Sequence, residues 1–417
     1  MYKVVISGMI GNALEWYDFA LYGHFVHIIT KLFFPQADPY AGMIATYTIF
    51  AAGFVMRPVG AVIFGYIGDK FGRRISLSIS ILMMALPTAC IGLLPTYEQI
   101  GIWAPILLCV IRLIQGASIG GEFSGCIAFL VEYSPMKKRG LIGSASMVSL
   151  CAGMLLGSLV ATLVSRTMDV ADFESWGWRV PFLIGIVIGL IGIYVRTSLH
   201  ESPVYLEAKK RNELSSKPVR EIISSYLPEL VLAIGMYLTV TVPFYTFTMF
   251  VKSFMVGNLK YSYDTSLYVH LVSLTVAMIV MPISAWFSDV YGRKPVLKYS
   301  TYGFIVFIYP IFWLLTKGTL EWVMVSQILF ALFVGIYMGP VPAALVELFP
   351  TRVRFTGVAV SYNFSAAAFG GTAPLVATWL IKNSGRYDSV AMYIIFFCIL
   401  TLITLKYYKE TYRKKLN

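Results

Sequence analysis

Apolar residues run along this chain in long blocks. Blocks long enough to cross a bilayer as helices, about 20 residues each, fall near 6–33, 42–67, 75–95, 103–131, 141–165 and 180–198. A polar stretch follows near 200–226, holding Lys209, Lys210, Arg211, Lys217 and Arg220. Six more blocks fall near 227–252, 265–288, 296–316, 321–347, 356–381 and 389–407. The pattern predicts an all-α membrane protein of about twelve transmembrane helices. It reads as a six-helix bundle over 1–199, a linker over 200–226 and a second six-helix bundle over 227–417. The first block starts almost at Met1 without a clear small-residue cleavage site, so it is read as a retained helix.

Composition agrees. The chain is 58% hydrophobic and 13% charged, with a mean hydropathy of +0.74. A soluble domain carries about 25% charge; lipid-facing side chains explain the deficit. The net charge of +12 does not point to nucleic acid, because no basic stripe is interleaved with stacking aromatics. With both termini placed in the cytoplasm, 23 of the 33 Lys and Arg lie on the cytoplasmic side, eight on the other, and two inside helices. That bias obeys the positive-inside rule. The five cysteines, Cys90, Cys109, Cys126, Cys151 and Cys398, all lie in apolar runs without metal-ligand spacing, and read as small core residues.

The halves echo each other. Gly65, Gly68-Asp69-Lys70 and Gly72-Arg73-Arg74 follow the second block; Ser288-Asp289 and Gly292-Arg293-Lys294 follow the eighth. Glu132, Pro135 and Arg139 follow the fourth block, and Glu347, Pro350 and Arg354 repeat their spacing after the tenth. Two echoes at similar offsets argue for duplication into two six-helix pseudo-repeats. The loop glycines permit tight turns. Asp69 can pair with Arg73 or with a helix N-terminus. The cluster of Gly65, Gly68, Asp69, Gly72, Arg73, Arg74, Asp289, Gly292, Arg293, Glu132, Arg139, Glu347 and Arg354 is therefore expected to latch the cytoplasmic side in one conformation and release it in another.

This loop resembles the signature of the major facilitator superfamily. Further stretches are similar to the metabolite–proton symporter family: Gly11-Asn12-Ala13-Leu14-Glu15-Trp16-Tyr17-Asp18-Phe19 with Tyr22-Gly23, Arg57-Pro58-Val59-Gly60, Gln115-Gly116 with Gly120-Gly121-Glu122, Glu132-Tyr133-Ser134-Pro135, and Trp176-Gly177-Trp178-Arg179. The similarity covers nearly the whole chain and leans toward bacterial proline/betaine transporters. It implies a major facilitator fold, proton-coupled symport by alternating access, and a place in the bacterial inner membrane. Some such transporters carry a C-terminal coiled coil tied to osmotic sensing. This sequence ends at Asn417 after a short basic tail, so gating by that route is not expected.

A charge at mid-bilayer costs about 2.5–3.5 kcal/mol on insertion scales, so unpaired ones are not expected. Glu15, Asp18, Arg57, Arg112 and Glu122 lie well inside blocks of the first half. Glu15, Asp18 and Tyr22 share one helix face, and Arg112, Gln115 and Glu122 fall on one side of another. In related sugar porters a first-helix Asp and a fourth-helix Arg form the coupling pair, so the resemblance implies Asp18 as proton carrier and Arg112 as its switch. Glu15 and Glu122 complete the proton-coupling set. Arg57, beside Pro58, is expected to bind a substrate carboxylate or else to pair with Glu15 or Glu122.

Three acids and two bases leave a cavity of net charge −1. That balance favours a zwitterion over a dicarboxylate. Trp16, Tyr17, Phe19, Tyr22, Tyr237, Phe244 and Tyr245 could offer cation–π faces. The candidate solute contacts are Asn12, Trp16, Tyr22, Arg57, Gln115, Tyr237, Tyr245 and Asn363. Thr239, Thr241, Pro243, Thr246 and Thr248 suit a broken, cavity-lining seventh helix. No G-x4-G-K-[ST] loop is present, so ATP is not the expected driver. His24 and His27 lack acidic or cysteine company and are not read as metal ligands. No nucleophile–base set points to an enzyme. The expected function is a proton symporter for proline or betaine, the alternative is one for an organic acid such as 2-oxoglutarate or shikimate, and a transport-dead sensor is remote. The expected partners are the solute, the proton and the bilayer, with no cofactor, metal, nucleic acid or obligate protein partner.

Overall fold

The computed structural model describes residues 2–35, 39–197 and 200–416. Among these every regular element is helical. The first half holds α1 (Tyr2–Phe33), α2 (Pro39–Lys70), α3 (Arg73–Leu93), α4 (Trp103–Tyr133), α5 (Met136–Thr167) and α6 (Arg179–Thr197). The second holds α7 (Leu227–Gly257), α8 (Tyr263–Tyr291), α9 (Arg293–Thr316), α10 (Leu320–Leu348), α11 (Arg354–Ser384) and α12 (Ser389–Tyr407). All but α1 are long and apolar enough to cross a membrane. α1, 32 residues long, is less apolar because Asn12, Glu15 and Asp18 lie within it, and all three are buried in the protein. The stretch between the halves carries two short helices, Pro203–Lys210 and Pro218–Ser225. The side of the bundle reached by this stretch is called the linker side below.

Within each half the helices pack closely because small residues line their contacts. A Cβ added at Gly60 of α2 would run into the backbone carbonyl of Ala117 on α4, and one at Gly116 of α4 would meet the carbonyl of Gly53. Neighbouring backbones come this near only where the side chain is absent, the usual device for joining helices in lipid. Between the halves, α2 packs on α11 and α5 packs on α8. These two seams are related by the same swap of halves that relates the sequence echoes.

The echoed loops adopt the same backbone. Gly72 and Gly292 have φ of 120° and 105°, a region that L side chains avoid. Gly292 alone separates α8 from α9, and Phe71 and Gly72 separate α2 from α3. α7, expected to be broken, is continuous. Its departure from regular geometry is a π-helical turn, Thr246–Phe250, which begins three residues after Pro243. α11 has a matching turn at Ala366–Gly370. Such turns often mark functional regions of helices.

Replacing Gly60 by Val is expected to lower stability by at least about 1–3 kcal/mol through overpacking. The check is the thermal midpoint of the detergent-solubilised protein beside Gly23→Ala, where a Cβ meets nothing within 4 Å and no loss is expected.

Candidate functional site

Two buried ion pairs sit side by side at the seam. Asp18 of α1 accepts from Arg112 Nη1 at 2.6 Å, Gln115 Nε2 at 3.0 Å and Thr88 Oγ1 at 3.0 Å. Gln115 also takes a bond from Arg112 at 2.8 Å. The Arg112 guanidinium lies 3.9 Å over the Tyr22 ring, whose hydroxyl donates to the Thr46 carbonyl. The Asp18 carboxylate is thus fully served by donors from α3 and α4.

The second pair is looser. Arg57 Nη2 lies 3.6 Å from Glu15 Oε1, beyond hydrogen-bond range. Neither Glu15 oxygen has a hydrogen-bond donor, and Arg57 Nε and Nη2 have no acceptor. Arg57 instead reaches across the seam through Nη1, to the hydroxyls of Tyr245 on α7 (3.2 Å) and Tyr362 on α11 (3.4 Å). A cavity of about 20 Å³ lies between the pairs, lined by Glu15, Asp18, Phe54, Arg57, Arg112 and Gln115. It holds a water or so and is too small for an amino acid, so the site is collapsed in this conformation.

Other expected residues go elsewhere. Glu122 accepts from Ser80 and from both terminal nitrogens of Arg196. Arg196, at the end of α6, is buried and is not among the charges expected inside the bundle. The tally of −1 is therefore corrected: three acids and three bases balance among the described buried charges discussed so far. Asn12 donates to the Ser146 carbonyl and Ser149 Oγ on α5, and Asn363 donates to the carbonyls of Gly120 and Ala359. Neither lines the cavity; both tie helices together. Trp16 packs on Phe19, Phe244 and Tyr245, and Tyr237 packs on Tyr362. Tyr362 and Thr88 were not singled out in advance. Tyr362 adjoins Asn363 in a helix, and only packing shows which of two neighbours faces the seam.

On the linker side the echoed residues build two matching networks. Asp69 accepts from the backbone N–H groups of Phe355 and Thr356, at the start of α11. Asp289 accepts from Gly140 and Leu141, at the start of α5. Each carboxylate thus caps a helix of the opposite half, where the helix dipole favours a negative charge. Each also binds the Arg four residues on, Arg73 at 3.0 Å and Arg293 at 2.7 Å. Glu132 joins Arg73 to Arg354 of the other half (3.2 and 2.9 Å), and Glu347 joins Arg293 to Arg139 (3.2 and 3.8 Å). Gly65 and Gly68 let α2 approach Thr356 and Phe355. Arg74 lies at the rim and donates to the Thr197 carbonyl.

A third echo went unnoticed. The Glu201 carboxylate accepts from the backbone N–H of Arg74, and that of Glu410 accepts from Arg293 and Lys294. The residues that follow serve the same ends: Ser202 bonds Glu132 and Thr411 donates to Glu347. Glu201-Ser202 and Glu410-Thr411 come directly after the sixth and twelfth helices, so the signal was there.

The far side differs. Among the described residues no ion pair crosses the seam there, and contact between halves is aromatic: Trp16 with Phe244, Phe54 with Tyr245, and His24 with Tyr263. The linker side is locked by charge, and the far side is closed by rings.

Known proteins place this architecture. The sugar (and other) transporter family matches residues 4–225 and again 213–417. The proline/betaine transporter of Escherichia coli K12 is 35% identical over all of this chain and 85% of its own length. The glycine betaine/proline/ectoine/pipecolic acid transporter of Dickeya dadantii is also 35% identical, over all of this chain and 84% of that relative. The structure of the proton:xylose symporter XylE bound to 6-bromo-6-deoxy-D-glucose superposes with a TM-score of 0.84 at 18% identity, covering all of this chain and 97% of that one. A fold of two helical halves, with full-length relatives named as transporters, marks a transporter rather than an enzyme. The chain belongs to the sugar (and other) transporter family and is a secondary transporter of the major facilitator fold.

Proposed function

We propose that this protein is a proton-coupled symporter importing a small zwitterion such as proline or betaine across the bacterial inner membrane, with both termini cytoplasmic. The excess of Lys and Arg on the linker side supports reading that side as cytoplasmic. The conformation described is then closed to the cytoplasm.

One observation carries the solute class. Arg57 has guanidinium nitrogens without acceptors, and Glu15, 3.6 Å away, has carboxylate oxygens without donors. The two are close enough to offset each other's charge and too far apart to satisfy each other's bonding. A zwitterion meets both needs. Its carboxylate can take the two open Arg57 nitrogens as a bidentate pair, and its ammonium can face Glu15 with the rings of Trp16, Phe54 and Tyr245 around it. Because Arg57 also holds Tyr245 and Tyr362, a solute bound there draws the second half toward the first. The names of the relatives favour the same class.

Asp18 suits the proton. While Arg112, Gln115 and Thr88 donate to it, the carboxylate is stable as an anion. When the halves rock and Arg112 withdraws, an uncompensated anion in a dry site takes up a proton, because the alternative is a bare buried charge. Proton binding is thereby tied to conformation. Release inward needs Asp69 and Asp289 to leave the helix ends they cap and Glu132 to leave Arg354.

In proteoliposomes with an imposed pH gradient, labelled proline or betaine is expected to accumulate and 2-oxoglutarate is not. Accumulation of 2-oxoglutarate alone would refute the zwitterion assignment. Asp18→Asn is expected to bring accumulation down to the level without a gradient while sparing solute exchange; full accumulation in that variant would exclude Asp18 as carrier.

Asp289→Asn removes charge-assisted bonds worth about 1.5–3 kcal/mol from one latch. Labelling of a single cysteine at the buried seam position Ala343 by an impermeant maleimide, in inside-out vesicles, is expected to speed up about tenfold or more, since 1.4 kcal/mol is a factor of ten. An unchanged labelling rate would remove the latch role.

A further inference from the structure

The far side of the seam holds three basic side chains that the transport scheme above does not use. His24 lies on α1, Lys252 on α7 and His270 on α8, so the group straddles the seam. The Tyr263 ring links them: the His24 ring is 5.9 Å from it and Lys252 Nζ is 5.2 Å from its centre. His270 is buried against Phe247. His270 lies seven residues, about two turns, beyond Tyr263 along α8, on the same helix face.

Among the described residues no acid answers this charge. Among the described residues no carboxylate comes within the 4.0 Å ion-pair limit of Lys252. The acid nearest the shared ring in sequence, Asp264, is an exposed residue of the first turn of α8, and Tyr47 adds only a phenol. His24 Nδ1 is bonded to the Ala20 carbonyl at 3.0 Å, and Nε2 is buried with no partner at all. An arriving anion offsets the Lys252 ammonium and favours the imidazolium, whose Nε2 then donates to it. A half-buried ammonium beside two imidazoles is costly unless an anion comes to it.

The group lies further toward the far side than the central pairs. His24 lies six residues beyond Asp18 along α1, about 9 Å, and Lys252 lies seven beyond Tyr245 along α7, about 10 Å. A solute entering from the far side passes this group before reaching Arg57. We propose that His24, Lys252 and His270 form an outer carboxylate-binding station that captures the solute's anionic end before Arg57 takes it over. The station raises the local concentration of carboxylate-bearing solutes at the mouth of the site, as fixed charge in a cleft does. It then yields its anion to Arg57, which offers two open nitrogens against one ammonium.

This deepens the zwitterion reading, and its first test does not depend on it. The full chain is placed in neutral-lipid nanodiscs and its thermal midpoint is followed against sodium acetate, with sodium chloride at equal ionic strength as reference. Acetate is expected to raise the midpoint saturably. Lys252→Met is expected to weaken the apparent acetate affinity about tenfold, the scale of losing one charged partner, while Lys252→Arg retains it. An absent response, or the same response in Lys252→Met, overturns the station. His270→Asn serves as the second variant if Lys252→Met does not fold, with the same expectation. In uptake assays Lys252→Met is expected to raise the KM for the transported solute several-fold with the maximal rate unchanged; an unchanged KM overturns the role in capture. Acetate binding that persists while uptake favours 2-oxoglutarate would sink the zwitterion reading and leave the station standing.

Discussion

A charge buried in a low-dielectric interior must find a partner, and that constraint organises this molecule. The acids and bases of the first half are paired by helix packing. Glu122 with Arg196 and Asp18 with Arg112 are held within that half. Arg354 with Glu132 and Arg139 with Glu347 cross between halves. Pairs of the first kind let each bundle move as a unit. Pairs of the second kind must break if the linker side is to open, and breaking them leaves charges that water must reach. Opening the crevice on the linker side supplies that water, so the cost of unlatching is met by the state it produces.

The duplicated sequence gives the latch two copies, and the copies are not equal. Glu132 is fully buried between Arg73 and Arg354, whereas the Arg139–Glu347 contact is longer, at 3.8 Å, and Arg139 spends a donor on the Lys414 carbonyl. The second network also leans on the tail, through Glu410 and Thr411. Where the first half uses the start of the linker, the second uses residues after α12. The two seams are alike in plan and differ in how firmly each is held, which allows one to yield before the other.

Much of this was legible in the chain. The helix blocks, the break near 200–226 and both echoes of the latch loop appear in the sequence because a bilayer demands long apolar runs and because glycine and acidic residues at helix ends have few substitutes. Asp18 and Arg112 stood out because charges in such runs are conspicuous. Arg196 did not, since a base at the end of an apolar run has the same pattern whether it anchors a loop or turns inward to meet Glu122. Asn12 and Asn363 were placed in the cavity because they are polar and central, yet polarity alone does not say which neighbour a side chain bonds. Tyr362 was hidden by the opposite effect: an aromatic in a membrane helix is unremarked until its hydroxyl is seen to meet a guanidinium.

The corrected charge tally shows what kind of evidence selects a solute. A sum over buried charges is fragile, because a single residue such as Arg196 brings it from −1 to zero. Bonding capacity is more local and more discriminating. Asp18 already accepts from three neighbours and has less to offer a ligand until the helices move. Glu15 lies beside it with both oxygens unbonded and Arg57 with Nε and Nη2 unbonded, at a separation where they neutralise each other without joining. A ligand with one anionic and one cationic end fits such a pair; an ion of either sign alone would leave the opposite partner exposed. The same reasoning separates the two stations, because the far-side bases have no acid beside them among the described residues and hold the anionic end, while the central pair can hold both.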